Sequence, residues 1–199
     1  MIIRNYSNTD EIGWVRCRLF SFLDTSYYDD VKREKEHYGN PSVCLVAEDN
    51  GTIVGIIDVE YEENEGDVCY FSGGLGAVIW HLAVLPEFRR KGVAKKLWEA
   101  AKTSLQEKGI NRFEVWTQDD AGSCGWYESQ GFIFKEAYLN AYITGQANED
   151  VINKYLNLNA LGEIYGFRNF NFEAPLSRKD ELSEVCCRLH EVRVYELVC

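Results

Sequence analysis

One stretch, residues 78–94, constrains the fold of this 199-residue chain more than any other. It opens with a near-continuous apolar run from Val78 to Leu85, as expected of a strand buried on both faces of a sheet. Pro86 ends the run, because proline has no N–H to give to a strand ladder. A basic turn follows, and Gly92 leads into a long amphipathic helix. The stretch therefore predicts a strand, a tight turn and a helix start, where unpaired backbone N–H groups favour an anion.

Basic residues cluster at this helix start, although the formal net charge of the chain is −11. They are Arg89, Arg90, Lys91, Lys95 and Lys96. The small residues Gly92 and Ala94 would let a phosphate approach the backbone closely. The pattern is neither a Walker loop nor a dinucleotide-binding fingerprint. On these residues alone, an anion site and an ordinary solvated helix start both remain open.

Two motifs favour the anion site over an ordinary solvated helix start. Residues 89–94 read Arg-x-x-Gly-x-Ala, which resembles the acyl-coenzyme A signature of the GNAT N-acetyltransferase superfamily, Gln/Arg-x-x-Gly-x-Gly/Ala. Residues 127–132 read Tyr-x-x-x-Gly-Phe, which resembles the tyrosine-bearing helix of that family and the strand after it. Two motifs in the expected order are more specific than either alone. The resemblance extends from the N-terminus to about Ile143.

The resemblance implies an α/β (α+β) fold, with a mixed, mostly antiparallel sheet flanked by helices. We expect a single acetyltransferase domain over residues 1–199, since a chain of this length buries one good core. Residues 145–188 depart from a minimal family member, so we expect an insertion there, before the last strand. Within it the pattern predicts helices at 148–156 and 177–185. This insertion would cover the acceptor site or form a dimer contact, and the sequence does not decide between these.

Local patterns predict further elements nearer the N-terminus. Residues 2–6 are typical of a strand, and apolar residues at near-helical spacing predict a helix over 12–22. A second helix is predicted over 27–37. The Asn-Gly pair at 50–51 predicts a two-residue hairpin turn. Five carboxylates follow within residues 60–67, forming either a solvated loop or an acidic lining that attracts an ammonium group.

The resemblance implies acetyl-CoA as cofactor, with coenzyme A as a product. Backbone N–H groups of the basic turn would anchor the pyrophosphate, and the main chain of residues 82–84 would pair with the pantetheine arm. The implied cofactor-binding residues are Leu82, Ala83, Val84, Arg89, Arg90, Lys91, Gly92, Val93, Ala94, Lys95 and Asp120. Asp120 stands where the family often has asparagine, a difference that removes an amide donor.

Three residues are candidates for the chemistry: Tyr127, Glu60 and His81. By the resemblance, Tyr127 is the general acid that protonates the departing thiolate, because a tyrosine with a pKa of about 10 keeps its proton at neutral pH. The alternative is a tyrosine that only packs on the cofactor.

The general base is less well defined by the sequence. Family members often carry a glutamate or histidine at the positions that hold Trp80 and Val78 here. His81 is next along the strand, but alternation is expected to turn it to the opposite face. Glu60 and Asp58 on the neighbouring strand are alternatives, as is a water relay.

The implied function is acetyl-CoA-dependent N-acetylation of a primary amine, by direct attack in a ternary complex. The acidic composition suits a small cationic acceptor, aminoglycoside-like or polyamine-like. Residues 84–94 also resemble aminoglycoside 6′-N-acetyltransferases. The alternatives are a non-catalytic acyl-CoA-binding module and a protein N-acetyltransferase.

Composition excludes several other classes of protein. The negative charge argues against a nucleic-acid partner. The three histidines lie far apart and no Cys-x-x-Cys pair occurs, so we predict no metal. We find neither a membrane-spanning apolar run nor a signal peptide, and we therefore expect a cytoplasmic protein with reduced cysteines. A homodimer is a further possibility.

Overall fold

The computed structural model describes residues 1–144 and 169–199. Its strands are β1 (Ile2–Asn5), β2 (Ser42–Asp49), β3 (Thr52–Tyr61), β4 (Gly76–Val84), β5 (Arg112–Gln118), β6 (Ile133–Thr144), β7 (Asn169–Ala174) and β8 (Arg188–Val198). Its helices are α1 (Glu11–Phe22), α2 (Val93–Gln106), α3 (Ala121–Ser129) and the short α4 (Lys179–Ser183). None of these helices is long and apolar enough to cross a membrane.

The described strands form one sheet in the order β1-β2-β3-β4-β5-β8-β6-β7. Strands β4 and β5 are parallel, and every other neighbouring pair is antiparallel. This arrangement confirms the predicted mixed, mostly antiparallel sheet. The central strand-turn-helix prediction is also confirmed, because β4 is followed by a turn and then by α2.

Helices α1 and α2 cover opposite faces of the central strands. A Cβ atom at Gly55 of β3 would lie 2.9 Å from Cγ1 of Val93, so α2 packs directly on that strand. On the other face, the ring of Trp14 in α1 packs edge-on against His81 of β4, with centroids 5.2 Å apart. The strand partner of His81 is Asp58, three residues beyond Gly55. The Asp58 side chain therefore points to the face opposite the one on which a Cβ at Gly55 would lie. We call these the α1 face and the α2 face.

A buried ion network fixes the long β3–β4 connection. The guanidinium of Arg112 contacts Glu114, Glu62 and Glu196, and all four residues are buried. Glu62 also accepts backbone hydrogen bonds of 2.8–2.9 Å from Gly66, Cys69 and Gly76. The acid-rich stretch therefore supports its own loop, in contrast to the lining role that the sequence left open.

The helix predicted over residues 27–37 does not form. Residues 23–41, which we call the α1–β2 loop, contain only turns and bends. Two of their acidic side chains bind other elements: Asp30 pairs with Arg18 of α1, and Asp29 pairs with Arg188 of β8. Because these long-range contacts fix each side chain separately, helical spacing within the loop carries no advantage.

Two other local predictions have clear outcomes. Asn50 and Gly51 have φ angles of 49° and 79°, so the predicted tight hairpin turn is confirmed. The helix predicted over 177–185 is confirmed in part by α4. Strand β7 forms within the predicted insertion and pairs with β6. The helix predicted over 148–156 lies outside the described residues.

Candidate active site

A cleft opens where β4 and β5 diverge. The two strands pair only between residues 76–78 and 112–114. From residue 79 to 84, the edge of β4 that faces β5 has no strand partner among the described residues. The cleft has a volume of about 1070 Å³ and is bounded by β4, the start of α2, β5, α3 and the α1–β2 loop. A chain in extended conformation could therefore hydrogen-bond to this open edge of β4.

A bulge in β4 sets which side chains enter the cleft. Asp58 pairs with His81 and Val59 pairs with Ile79, so Trp80 is an extra residue in the ladder. Trp80 donates from Nε1 to Glu60 at 2.8 Å, and His81 lies against α1, so both side chains are on the α1 face. The expectation that His81 points away from Trp80 is wrong, because simple alternation takes no account of the extra residue.

The start of α2 forms one end of the cleft, which we call the anion end because an anion is predicted to bind there. Gly92 caps the helix with a φ of 76°, and Arg90 has a φ of 59°. The N–H of Lys96 donates to the carbonyl of Gly92 at 3.0 Å, which leaves the N–H groups before it without a helical acceptor. The predicted residues that line this end are Arg89, Arg90, Gly92, Val93, Ala94 and Lys95. Lys91 does not line the cleft, and its Nζ lies 5.0 Å from the ring centroid of Phe88.

The side chain of Arg89 is already bound within the protein. Its Nη1 and Nη2 donate to the carboxylate of Asp24 at 2.6 and 2.8 Å. Nη2 also donates to the carbonyl of Ser21 at 2.7 Å. This ion pair lowers the pKa of Asp24. Arg89 therefore connects the end of α1 to the turn before α2. Its guanidinium lines the anion end of the cleft but is also bound to Asp24 and Ser21.

Tyr127 lies in the cleft wall, on α3. The residue is 7% exposed, and its ring packs edge-on against Trp126 and Phe132. Among the described residues, its hydroxyl has no hydrogen-bond partner. Burial raises the pKa of Tyr127, so the hydroxyl keeps its proton at neutral pH. This free, protonated hydroxyl is available to a group that enters the cleft.

The α1–β2 loop crosses the cleft and is tied to both sides. On one side Asp24 binds Arg89. On the other side Asp120, the residue before α3, accepts hydrogen bonds from the hydroxyl and the backbone N–H of Ser26. Tyr27 accepts a 2.7 Å hydrogen bond from the N–H of Gln118 at the end of β5, and burial raises its pKa to about 12. Asp120 thus holds the loop rather than presenting a free carboxylate.

Glu60, a predicted candidate for the base, does not line the cleft. Its carboxylate accepts hydrogen bonds from the backbone and side-chain nitrogens of Asn40, at 2.9 and 3.1 Å, and from Trp80. Asp58 is also away from the cleft and contacts Tyr38 at 3.1 Å and Lys35 at 3.2 Å. Both carboxylates have structural partners, so neither is placed to accept a proton from an amine in the cleft.

His81 does line the cleft, as part of a polar chain. Its Nε2 is 2.6 Å from Oε2 of Glu36, and its Nδ1 is 3.4 Å from Nε of Arg18. Glu36 also pairs with Lys32, and these contacts, the His81 hydrogen bond above all, lower its pKa to about 2. Sequence reasoning missed Glu36, since it lies in a loop 45 residues from His81 and no spacing relates the two.

Comparison with known proteins agrees with this geometry. The model of the acetyltransferase (GNAT) family matches residues 9–132, which include both motifs. Ribosomal-protein-alanine N-acetyltransferase from Brucella melitensis superimposes with a TM-score of 0.55 over 100% of both chains, at 13% identity. An aminoglycoside antibiotic 6′-N-acetyltransferase from Acinetobacter haemolyticus gives a TM-score of 0.52 over 68% of this chain and 93% of its own, at 18% identity.

A third structure contains a cofactor. The PaiA N-acetyltransferase from Thermoplasma acidophilum, in complex with coenzyme A, gives a TM-score of 0.52 over 67% of this chain and 90% of its own, at 16% identity. At these identities the three likenesses establish the fold. The family match establishes more, because it spans well over half of the chain, and it confirms the predicted acyltransferase class and acetyl-CoA as cofactor. The open edge of β4, the start of α2 and Tyr127 on α3 are thus features of a chain that belongs to the acetyltransferase (GNAT) family.

Proposed function

We propose that this chain transfers the acetyl group of acetyl-CoA to a primary amine of a small cationic molecule, aminoglycoside-like or polyamine-like, within a ternary complex. One observation carries the proposal. A single cleft contains the start of α2, the open edge of β4 and the Tyr127 hydroxyl, and its α1 side presents a carboxylate, Glu36, that already holds an ammonium group.

The cofactor end of the cleft suits a coenzyme with a pyrophosphate and an amide-containing arm. The free N–H groups at the start of α2 would hold the pyrophosphate, with added charge from Arg90 and Lys95. A Cβ atom at Gly92 would meet nothing within 4 Å, so the backbone there is open to close approach. Residues 82–84 pair with β3 on one side, and their other edge, which has no strand partner among the described residues, would bind the arm as an added strand. The bound cofactor supplies the activated thioester.

Tyr127 is the proposed proton donor to the departing thiolate. A thiolate leaves more readily when an acid within hydrogen-bond reach protonates it. The Tyr127 hydroxyl lines the cleft, and burial raises its pKa, so the proton is present at neutral pH. It has no hydrogen-bond partner among the residues that the structure describes, so no protein contact has to break before it acts.

The acceptor would enter from the part of the cleft that lies on the α1 face of the sheet, which we call the α1 side. Glu36 and Asp30 line this side together with Trp80, which is 48% exposed. Carboxylates beside an exposed aromatic ring favour a cationic molecule. The named aminoglycoside substrate of the Acinetobacter haemolyticus protein belongs to the same chemical class.

His81 is better placed to support Glu36 than to act as the base. One of its nitrogens faces the carboxylate of Glu36, and the other faces the N–H donor of Arg18. In the neutral ring, Nε2–H therefore donates to Glu36, and the lone pair on Nδ1 is directed at Arg18. We propose that the acceptor amine loses its proton to water in the open cleft.

Thiol release from acetyl-CoA in the presence of a panel of amines tests the function. Lys95→Glu places a carboxylate in the anion end of the cleft and is expected to weaken acetyl-CoA binding. Lys96→Glu makes the same charge change one residue further along, where the side chain does not line the cleft. Acetyl-CoA binding without thiol release for any amine would instead favour the non-catalytic module, and release only with peptide amines would favour a protein acceptor.

A further inference from the structure

Lys32 places a primary amine in the part of the cleft where the proposed acceptor would enter. The cleft lining, as far as the chain is described, contains two lysines, Lys32 and Lys95. Lys95 belongs to the anion end, on α2. Lys32 lies in the α1–β2 loop, on the α1 side, and its ammonium group forms an ion pair with Oε1 of Glu36. The Lys32 side chain is 33% exposed to solvent, so it is only partly buried.

Two contacts connect this amine to the central strand. Glu36 holds Lys32 through Oε1, and its other oxygen, Oε2, is 2.6 Å from Nε2 of His81. His81 precedes Leu82, whose main chain faces the open edge of β4. Arg18 and Trp14 in turn hold the ring of His81 in place. The Lys32 amine therefore lines the same cleft as β4, along which the thioester arm would lie, and two side chains, Glu36 and His81, connect it to that strand.

We propose that Lys32 is an internal acceptor, which this acetyltransferase modifies with acetyl-CoA. The inference rests on the proposed function. A bond forms between Nζ of Lys32 and the acetyl carbonyl carbon, and the bond from that carbon to sulfur breaks. The ammonium loses two protons in becoming an amide. Coenzyme A takes up one of them as its thiol, by way of Tyr127, and the other leaves to solvent.

The modification would change the acceptor site itself. Acetylation removes the positive charge of Lys32 and with it the ion pair to Glu36. The carboxylate of Glu36 is then free to hold the ammonium group of an external amine. An acetylated enzyme should therefore bind cationic acceptors more tightly than the unmodified enzyme does.

Peptide mass spectrometry of the full chain incubated with acetyl-CoA tests the proposal. The matched control is Lys179, whose surface ion pair with Glu191 at 2.5 Å lies outside the cleft. We expect Lys32 to gain one acetyl group about tenfold faster than Lys179, because of these two lysines only Lys32 lines the cleft. Tyr127→Phe should slow the reaction at Lys32 by about a hundredfold and leave Lys179 unchanged.

A second readout needs no transfer from the cofactor. Trace labelling of lysines with acetic anhydride reports how accessible each amine is. Coenzyme A bound in the cleft is expected to reduce labelling of Lys32 and to leave labelling of Lys179 unchanged. Equal labelling of Lys32 with and without coenzyme A would contradict the placement of this amine in the cofactor cleft.

The outcomes separate this proposal from the proposed function. Equal acetylation of Lys32 and Lys179, or acetylation of Lys32 that Tyr127→Phe does not slow, would overturn the proposal if acetyl-CoA still raises the melting temperature. Absence of acetyl groups on Lys32 under the same condition would also overturn it. If acetyl-CoA does not raise the melting temperature, the proposed function fails as well.

Discussion

Arg89 and Asp24 form a two-point ion pair at the mouth of the cleft, with nitrogen–oxygen distances of 2.6 and 2.8 Å. The same guanidinium donates to the carbonyl of Ser21 and, at 3.3 Å, to that of Val84. The first residue of the family motif therefore joins the end of α1 to the end of β4 and the turn before α2. Its side chain thereby positions the turn before α2, and the N–H groups that follow this turn are the proposed anion donors.

This role predicts how Asp24→Ala and Arg89→Ala affect acetyl-CoA binding. Each change removes the same ion pair, so each should weaken binding by a similar factor, about tenfold or less, and the double variant should bind no worse than either single variant. Isothermal titration calorimetry measures the affinities. If the guanidinium itself held the pyrophosphate, Asp24→Ala would tighten binding while Arg89→Ala weakened it.

Tyr127→Phe separates catalysis from binding. The change removes only the free hydroxyl, while the ring keeps its contacts with Trp126 and Phe132. We expect kcat to fall by about a hundredfold, the usual contribution of a general acid, with little change in acetyl-CoA affinity. Tyr70→Phe is the control, because Tyr70 is 66% exposed and lies outside the cleft lining. Unchanged turnover in Tyr127→Phe would contradict the role of general acid and would show that this tyrosine only packs in the cleft wall.

Gly55→Ala tests the close packing of α2 on β3. The added Cβ would lie 2.9 Å from Cγ1 of Val93 and 3.0 Å from Cδ1 of Leu97, so these side chains or α2 itself must shift. Overpacking of this kind costs about 1–3 kcal/mol in the free energy of unfolding. Because Val93 begins the helix that forms the anion site, acetyl-CoA affinity should fall too.

The matched control for Gly55→Ala is Gly125→Ala in α3. Its Cβ would meet nothing within 4 Å, and alanine is favoured over glycine in a helix by roughly 0.5–1 kcal/mol. In urea unfolding, Gly55→Ala should therefore lower the free energy of unfolding, and Gly125→Ala should raise it. Equal and small effects would contradict the direct contact between α2 and β3.

Glu36→Gln predicts a dependence of stability on pH. Its contacts lower the pKa of Glu36 from 4.5 to about 2. A carboxylate with a depressed pKa stabilises the folded state above its unfolded pKa, and this contribution is lost as the pH falls through the folded value. The difference in melting temperature between wild type and Glu36→Gln should therefore be largest above about pH 5 and shrink between pH 4.5 and 2.

Glu34→Gln serves as the control for this pH series. Glu34 lies in the same loop but is exposed. Its removal should alter the melting temperature little at any pH. A difference for Glu36→Gln that stays constant down to about pH 2 would show that the carboxylate is not held as an ion by His81 and Lys32.

The central architecture was predictable because its signals are local. The apolar run, Pro86 and Gly92 each act on neighbouring residues, and they predicted β4, the turn and α2. The hairpin at residues 50–51 follows from the tolerance of Asn and Gly for positive φ. Each of the two family motifs contributes residues to the lining of the cleft.

What the sequence could not predict depends on contacts between distant segments. The bulge at Trp80 is a property of the register between β3 and β4, and it alone turns His81 to the α1 face. Glu36 joins His81 through a loop whose path is set by ion pairs to α1 and β8. Neither contact produces a periodic pattern of apolar residues in the sequence. The predicted base Glu60 failed to reach the cleft because Asn40 and Trp80 hold it.

Thermal unfolding with and without acetyl-CoA tests the central claim most directly. A ligand at about a hundred times its dissociation constant stabilises the folded state by roughly 2.7 kcal/mol, which raises the melting temperature of a chain this size by several degrees. The account predicts this rise for the wild type and for Lys96→Glu, and a much smaller one for Lys95→Glu. No rise for the wild type at millimolar acetyl-CoA would contradict the cofactor site at the start of α2.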